Sequence, residues 1–404
     1  MGKGIRTLLL FTIAIFAYTT SYLPYGQGLM DPLRWILLAF LCVFALSAPR
    51  SSPTAFRAGG LKAFVFLFVA VALLSSLWSH IASLRTFQRG VSVAFLAIFI
   101  FLALWPRLQK LADYYALTSV LAAAAWLTIA ANLLALVVRP AWAIRPYTHA
   151  FQGVFGNPNE LGMLYAILLP MAVARFHYRP RLTSAALPAV VFVLLLASQS
   201  RAGILGAFVG VGAFYAQYYG QKLWIAIVLA LMVLAPMVVM RDTGTVLDPV
   251  EQSFLRGESN VDQYGSGRLG LWDMAFQRFK ERPFAGYGLG TAGDCFMPNG
   301  EPFRWHSSFT QTAVELGIIG LFFYFAPMVY SGVKMATYHL ADVKSARVRA
   351  VAAGLAAAWF AGAVDSFFES WLFSVGNVAS LLAWICFAAG MKAVSEASTM
   401  CEGN

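Results

Sequence analysis

Apolar runs long enough to cross a membrane, separated by short clusters of Arg, Lys, Pro and Gly, repeat along the chain and limit its fold more than any single motif does. A bilayer core about 30 Å thick needs roughly 20 apolar residues of α-helix, because inside lipid every backbone N–H and C=O must be satisfied within the segment. About twelve such spans are legible, near residues 5–22, 33–49, 61–79, 90–106, 113–138, 160–178, 183–198, 202–218, 222–240, 307–333, 347–366 and 372–392. The pattern predicts an all-α integral membrane protein in three parts. Residues 1–240 carry the first nine helices, 241–305 form a long outer loop with an amphipathic helix, and 306–404 carry the last three helices and a tail. Only 12% of the residues are charged, against about a quarter in a soluble domain. Lys3 and Arg6 precede the first run as they would in a secretion signal. The many later spans predict an uncleaved first helix instead, and the opening residues lack the Ser or Thr of a myristoylation motif.

Basic residues set the orientation. With the N-terminus inside, the inner segments hold 16 Lys and Arg (3, 6, 50, 57, 62, 107, 110, 175, 179, 181, 222, 334, 344, 347, 349, 392) and the short outer loops hold 6 (34, 85, 89, 139, 145, 201). That asymmetry predicts cytoplasmic termini, since positive residues stay inside and long loops are exempt. The net charge of +11 is mostly this topological bias and makes no case for nucleic acid. Cys42 and Cys386 fall in spans, Cys401 in the inner tail and Cys295 in the outer loop, so neither a structural disulfide nor a metal site is expected.

Charge at membrane depth is costly and marks cavities or partners. Here it crowds the outer ends of the spans. Arg85 and Arg89 in "IASLRTFQRG" lie one helical turn apart and share a face, as headgroup anchors or as part of a site. "GNPNELG" (156–162) couples turn chemistry to Glu160 in a helix's first turn, where capping alone would account for the carboxylate. "SQSRAG" (198–203) joins two spans with almost no loop, which holds Arg201 at the outer water boundary beside small residues that admit a close backbone or ligand. Arg145 is another outer candidate.

The outer loop holds seven basic and nine acidic residues, so an anion bound there must meet individually placed arginines. Within it, Leu269, Trp272, Phe276 and Phe279 recur at helical spacing before Pro283 and predict a helix lying against the membrane or the protein body. Arg268 would begin that helix, where a cation opposes the dipole and a bound anion would relieve the cost. "GLGTAG" (288–293) fits a dinucleotide fingerprint by spelling only, with no strand before it, and reads as a flexible turn. Arg304, Trp305 and His306 close the loop. Histidine's ordinary pKa near 6.5 suits proton transfer at neutral pH, though a lone interfacial His is more often structural. Glu315 lies nine residues on, roughly on the opposite helix face, and is expected to meet a neighbouring helix. In "VDSFFES" (364–370), Asp365 and Glu369 sit one turn apart, placed to orient His306 or to pair with an arginine.

Taken in order, "GNPNELG", "SQSRAG", "SGRLGLWDMAF", "RPFAGYGLG" and "HSSFTQTAVELGIIGLFFY" resemble the O-antigen ligase and O-antigen polymerase superfamily, over most of the chain from about residue 150 onward. The resemblance implies a GT-C-like glycosyltransferase of the bacterial inner membrane with a periplasmic active site. Its donor would be a glycan on undecaprenyl diphosphate, its acceptor a sugar hydroxyl of the lipid A core, and no cofactor or metal would be needed. It implies Arg201 and Arg268 as diphosphate-binding residues, His306 as the catalytic histidine and Asp365 as a nearby acid. Arg85, Arg89, Arg145, Arg304 and Glu369 are secondary candidates from the residues themselves. The chemistry is coherent, because positioned guanidiniums stabilise a diphosphate leaving group whose charge grows in the transition state, and a neutral imidazole can take the acceptor's proton. Polymerisation onto a second lipid-linked glycan is the nearest alternative. A lipid-glycan transporter or flippase is the alternative of another kind, although carriers place substrate near mid-membrane on broken helices and often show repeated halves.

Overall fold

The computed structural model describes residues 1–21, 27–47, 59–79, 83–146, 148–220, 268–291, 305–372, 374 and 376–400. Helices stand at eleven of the twelve expected positions: α1 (Lys3–Thr20), α2 (Gln27–Ser47), α3 (Gly59–Leu74), α4 (Ser83–Ile98), α5 (Leu111–Val138), α7 (Pro158–Tyr178), α8 (Leu182–Ala197), α9 (Arg201–Tyr219), α11 (Ser308–Thr337), α12 (Ala346–Phe368) and α13 (Val378–Glu396). The short α6 (Pro140–Ala143) and the loop helix α10 (Arg268–Glu281) lie between them. The span expected at 222–240, the loop stretches 241–267 and 292–304, and with them Arg304, fall outside the described residues. Seven described helices are long and apolar enough to cross a membrane, including the continuations of α3 to Leu77 and of α4 to Arg107. The described residues contain no strand, only the isolated bridges Ser21–Phe155 and Ile144–Phe151. The chain is an all-helical, multi-pass membrane protein.

Its centre is α7, α9 and α12 in near-backbone contact. The sequence dictates this: α12 reads "AVAAGLAAAWFAGAV" over 350–364, and α9 carries glycines on the facing side. A Cβ on Gly206 would lie 2.6 Å from Ala361 O, and one on Gly210 would lie 2.6 Å from Pro170 Cγ. Without a hydrophobic drive between helices in lipid, such close van der Waals contact is what associates them. Helix α13 packs onto this group, with 94% of its apolar window buried.

Both ends of the bundle are pinned. At one end Lys392 Nζ donates to Trp105 O at 2.9 Å, and the Met1 ammonium pairs with Asp113. At the other, Val378 N donates to Thr20 Oγ1 at 3.1 Å and Arg34 Nη1 donates to Gly376 O at 3.0 Å. His306 and Glu369 belong to this second end, opposite Met1 and Lys392, because α12 runs toward it and α13 runs away from it.

Several details differ from the sequence reading. The span expected as one helix at 307–333 is interrupted at Gly317 (φ 63°, ψ −163°), where α11 breaks into two helical segments. The "RPFAGYGLG" stretch fills the break: Ile318 N donates to Pro283 O at 2.7 Å, Ile319 N to Phe284 O at 3.3 Å, Tyr287 N to Val314 O at 3.2 Å and Gly288 N to Glu315 O at 2.7 Å. Non-helical backbone at such a place is tolerated because a neighbouring segment satisfies it. "GLGTAG", expected to be a flexible turn, is buried and hydrogen-bonded over its described residues 288–291, with Leu289 N on Ser75 Oγ at 3.1 Å and Thr291 Oγ1 on Gly288 O at 2.6 Å. In α10 the packed face is Trp272 and Ala275; Phe276, expected on it, is 53% exposed under Lys280, since its position rotates past the Trp272 contact. Glu315 is buried; one of its carboxylate oxygens accepts from Gln311 Nε2 at 3.0 Å, one turn earlier on its own helix, a contact the sequence reading did not include.

Candidate active site

The turn entering α11 builds the site. Trp305 is buried, and its carbonyl accepts from Trp272 Nε1 at 3.1 Å, which ties α10 to this turn. Ser307 caps α11 through Thr310 N at 3.4 Å. Between a buried indole and a capped helix, His306 takes a left-handed backbone (φ 47°), uncommon for any residue but glycine. The imidazole is thereby turned to the rim, with Nδ1 3.3 Å from Glu369 Oε2. Its side chain is 33% exposed and that of Glu369 7%. A carboxylate only accepts, so when it faces a neutral imidazole the Nδ1 proton makes this bond and Nε2 is the nitrogen that keeps a lone pair.

Glu369 is fixed from three sides. Its Oε1 accepts from Asn159 Nδ2 at 2.7 Å. Its backbone carbonyl accepts from Ser308 Oγ at 2.9 Å, and the same hydroxyl accepts from Leu372 N at 3.2 Å. Three helices, α7, α11 and α12, therefore meet at one residue, with Asn159 and His306 on its carboxylate and Ser308 on its backbone.

The starts of α7, α9 and α11 gather at this rim. Asn157 caps α7 through Asn159 N at 3.0 Å, and Ser200 caps α9 through Gly203 N at 3.3 Å. These two starts touch directly, since a Cβ on Gly203 would lie 2.8 Å from the Gly162 carbonyl group. Arg201, half-buried, is the first residue of α9. Helix N-termini point unpaired N–H groups and positive dipole ends outward, which suits an anion.

Other sequence candidates are distributed as follows. Arg268 is the first residue of α10, one turn before the Trp272 anchor; its side chain lies outside the described part. Asp365 and Glu369 have different partners. Glu369 holds His306, while the fully buried Asp365 accepts from Trp371 Nε1 at 2.6 Å. Arg145 lies in the 144–151 loop, where its Nε donates to Gln152 Oε1 at 3.3 Å; Phe151 N on Ala197 O at 2.8 Å seats that loop beside the end of α8. Arg85 and Arg89 share a face of α4 and line a cavity together with Arg34. Sequence reasoning missed Asn159, which stands in "GNPNELG" next to the more conspicuous carboxylate of Glu160. It also missed Ser308, Arg34 and the plugged break in α11, whose only advance signal is the glycine spacing of "AGYGLG" against "LGIIG".

Fold and site define a multi-pass membrane protein with an imidazole–carboxylate pair set among helix N-termini at a polar rim. Residues 185–325, which contain Arg201, Arg268 and His306, match the family model described as O-antigen ligase. Over 163 residues the chain is 28% identical to the provisionally named polysaccharide ligase RC0486 of Rickettsia conorii (strain ATCC VR-613 / Malish 7), covering 36% of this chain and 37% of that protein. These findings support its kinship with the O-antigen ligase and polymerase superfamily.

Proposed function

We propose that the protein is an O-antigen ligase-type glycosyltransferase, moving a glycan from undecaprenyl diphosphate to a sugar hydroxyl of the lipid A core on the periplasmic face of the inner membrane. The observation that carries this reading is the His306–Glu369 pair, with Nε2 left to face a substrate and three helix N-termini beside it. The acceptor hydroxyl loses its proton to Nε2 while its oxygen attacks the anomeric carbon. The anomeric C–O bond to the diphosphate breaks from the opposite face, so the configuration inverts. Undecaprenyl diphosphate departs with the bonding pair, and Arg201 and Arg268 meet its charge. Glu369 steadies the imidazolium that forms, and such general-base help is worth about 10² to 10⁴ in rate.

The relative's name as a polysaccharide ligase favours ligation over polymerisation. Transport is disfavoured because the break in α11 is filled by protein backbone, with Ile318 N on Pro283 O and Ile319 N on Phe284 O, rather than left open to a substrate. Purified protein given lipid-linked glycan and either lipid A core or a second lipid-linked glycan tests the reading. Product on lipid A, abolished in His306→Ala, is expected. Chain growth on undecaprenyl diphosphate, or undiminished transfer by His306→Ala, overturns it.

A further inference from the structure

Beside the proposed active site, α4 from Arg85 to Phe95 and α2 at Arg34 and Trp35 line a half-open cavity of about 720 Å³. Arg34, Arg85 and Arg89 line it, and Trp35, Phe87 and Phe95 form its apolar side. No carboxylate lines it among the described residues. Asp31, 57% exposed, lies 3.4 Å from Arg34 and offsets part of that charge. Arg34 is held by Gly376 O at 3.0 Å and Thr19 Oγ1 at 3.2 Å, which directs it into the wall rather than to bulk water. Arg89 makes no hydrogen bond or ion pair among the described residues. Gly290 packs on it so tightly that a Cβ there would lie 2.2 Å from Arg89 Cδ.

Simple headgroup anchors would be spread around the belt, each snorkelling outward. Here three guanidiniums from two helices meet in one concavity, within the volume range of small-molecule sites and with aromatic rings alongside. That combination suits an amphiphile whose polar end is a phosphate ester, since guanidinium forks bind phosphate by charge-assisted hydrogen bonds. Two walls tie the cavity to the chemistry. Gly290 ends the segment that plugs α11, and Ser374 and Gly376 lie on the loop that follows Glu369. A headgroup in the cavity therefore sits on the same rim as His306.

We propose that this cavity is a second phosphate-recognition site, which takes the phosphate ester of a lipid substrate and presents the attached sugar to His306. The proposal rests on the glycan-transfer reading for its purpose but not for its test. Transfer between two lipid-borne molecules needs two headgroup sites, and Arg201 and Arg268 account for one.

The test is direct binding to the full-length detergent-solubilised protein, with four probes: bis-phosphorylated lipid A, dephosphorylated lipid A, undecaprenyl diphosphate and phosphatidylglycerol. Arg89→Gln and the double variant Arg85→Gln/Arg89→Gln are compared with wild type and with Arg89→Lys. Losing one or two charge-assisted contacts should weaken a phosphate-bearing ligand about tenfold to a hundredfold, with Arg89→Lys in between. A loss confined to bis-phosphorylated lipid A assigns the site to the acceptor and supports the proposal, whereas one confined to undecaprenyl diphosphate makes the cavity part of the donor site and overturns it. Unchanged binding of both, or equal loss for dephosphorylated lipid A or phosphatidylglycerol, overturns it. His306→Ala should leave all four affinities intact, so a failure of the catalytic reading is told apart from a failure of this one.

Discussion

Gly286 and Gly317 face each other across the break in α11, and replacing either with alanine should unseat the segment that fills it. Gly286 has φ 65°, and a Cβ there would lie 2.4 Å from Glu315 C and O; on Gly317 it would lie 2.4 Å from Phe284 C and O. Those neighbours are backbone atoms, so no side-chain rotation relieves the overlap. The left-handed backbone alone costs an alanine about 1–2 kcal/mol. If the segment withdraws, Val314 O, Glu315 O, Ile318 N and Ile319 N lose their partners, and each orphaned group costs about 1–3 kcal/mol. Gly286→Ala should therefore destabilise the protein by about 4 kcal/mol or more, among the larger effects a point change produces. The double variant should cost less than the sum of the singles, since either one alone already opens the same interlock. Thermal unfolding of the purified protein, with limited proteolysis across residues 282–291, reads the effect. Phe284→Ala is the control: that side chain is 71% exposed and only its carbonyl takes part, so the interlock should survive. A Gly286→Ala protein with wild-type melting and an unaltered cleavage pattern would refute the reasoning.

Three further changes separate chemistry from scaffold. His306→Asn keeps a residue type that tolerates φ 47°, so transfer should fall by about 10² to 10⁴ while the melting temperature holds, as a turnover assay beside a melting curve would show. Glu369→Gln removes the charge behind the imidazole and should lower kcat about tenfold to a hundredfold with little change in donor KM, measured by steady-state kinetics. Trp272→Phe loses the bond to Trp305 O; it should cost about 1 kcal/mol of stability, seen by thermal unfolding, and raise donor KM because α10 carries Arg268.

The helical scaffold was legible because span length and apolar content are properties of single segments. Each of the eleven helices at the expected span positions could be located without knowing its neighbours. The pairing's two members were legible as candidates for the same reason: His306 and Glu369, which the structure brings together, announce themselves as polar residues at helix ends, where charge is expensive. Pairing was not legible. Asp365 and Glu369 sit one turn apart in sequence and look interchangeable, yet one reaches an indole and the other the imidazole, a distinction made by the loop at 371–377 and by α7. The break at Gly317 was hidden because hydropathy is blind to it: "ELGIIGLFF" is as apolar as any continuous span, and the carbonyls that complete the helix, those of Pro283 and Phe284, come from far earlier in the chain. Arg34 was hidden because its role depends on α4, fifty residues away.

The glycine-spaced seam between α9 and α12 bears on how a chain of this kind can diversify. Glu369 closes one of those helices, and the separation of the pair is held at backbone thickness by Gly206 and Gly210, so any added methyl there would be felt at the imidazole. Variation in what is accepted is then channelled away from the seam, toward the arginine-bearing starts of α2 and α4, where side chains face open volume and can be exchanged without prising helices apart. A library randomised at those starts should yield folded proteins with altered preferences; one randomised along the seam should yield mainly misassembled ones.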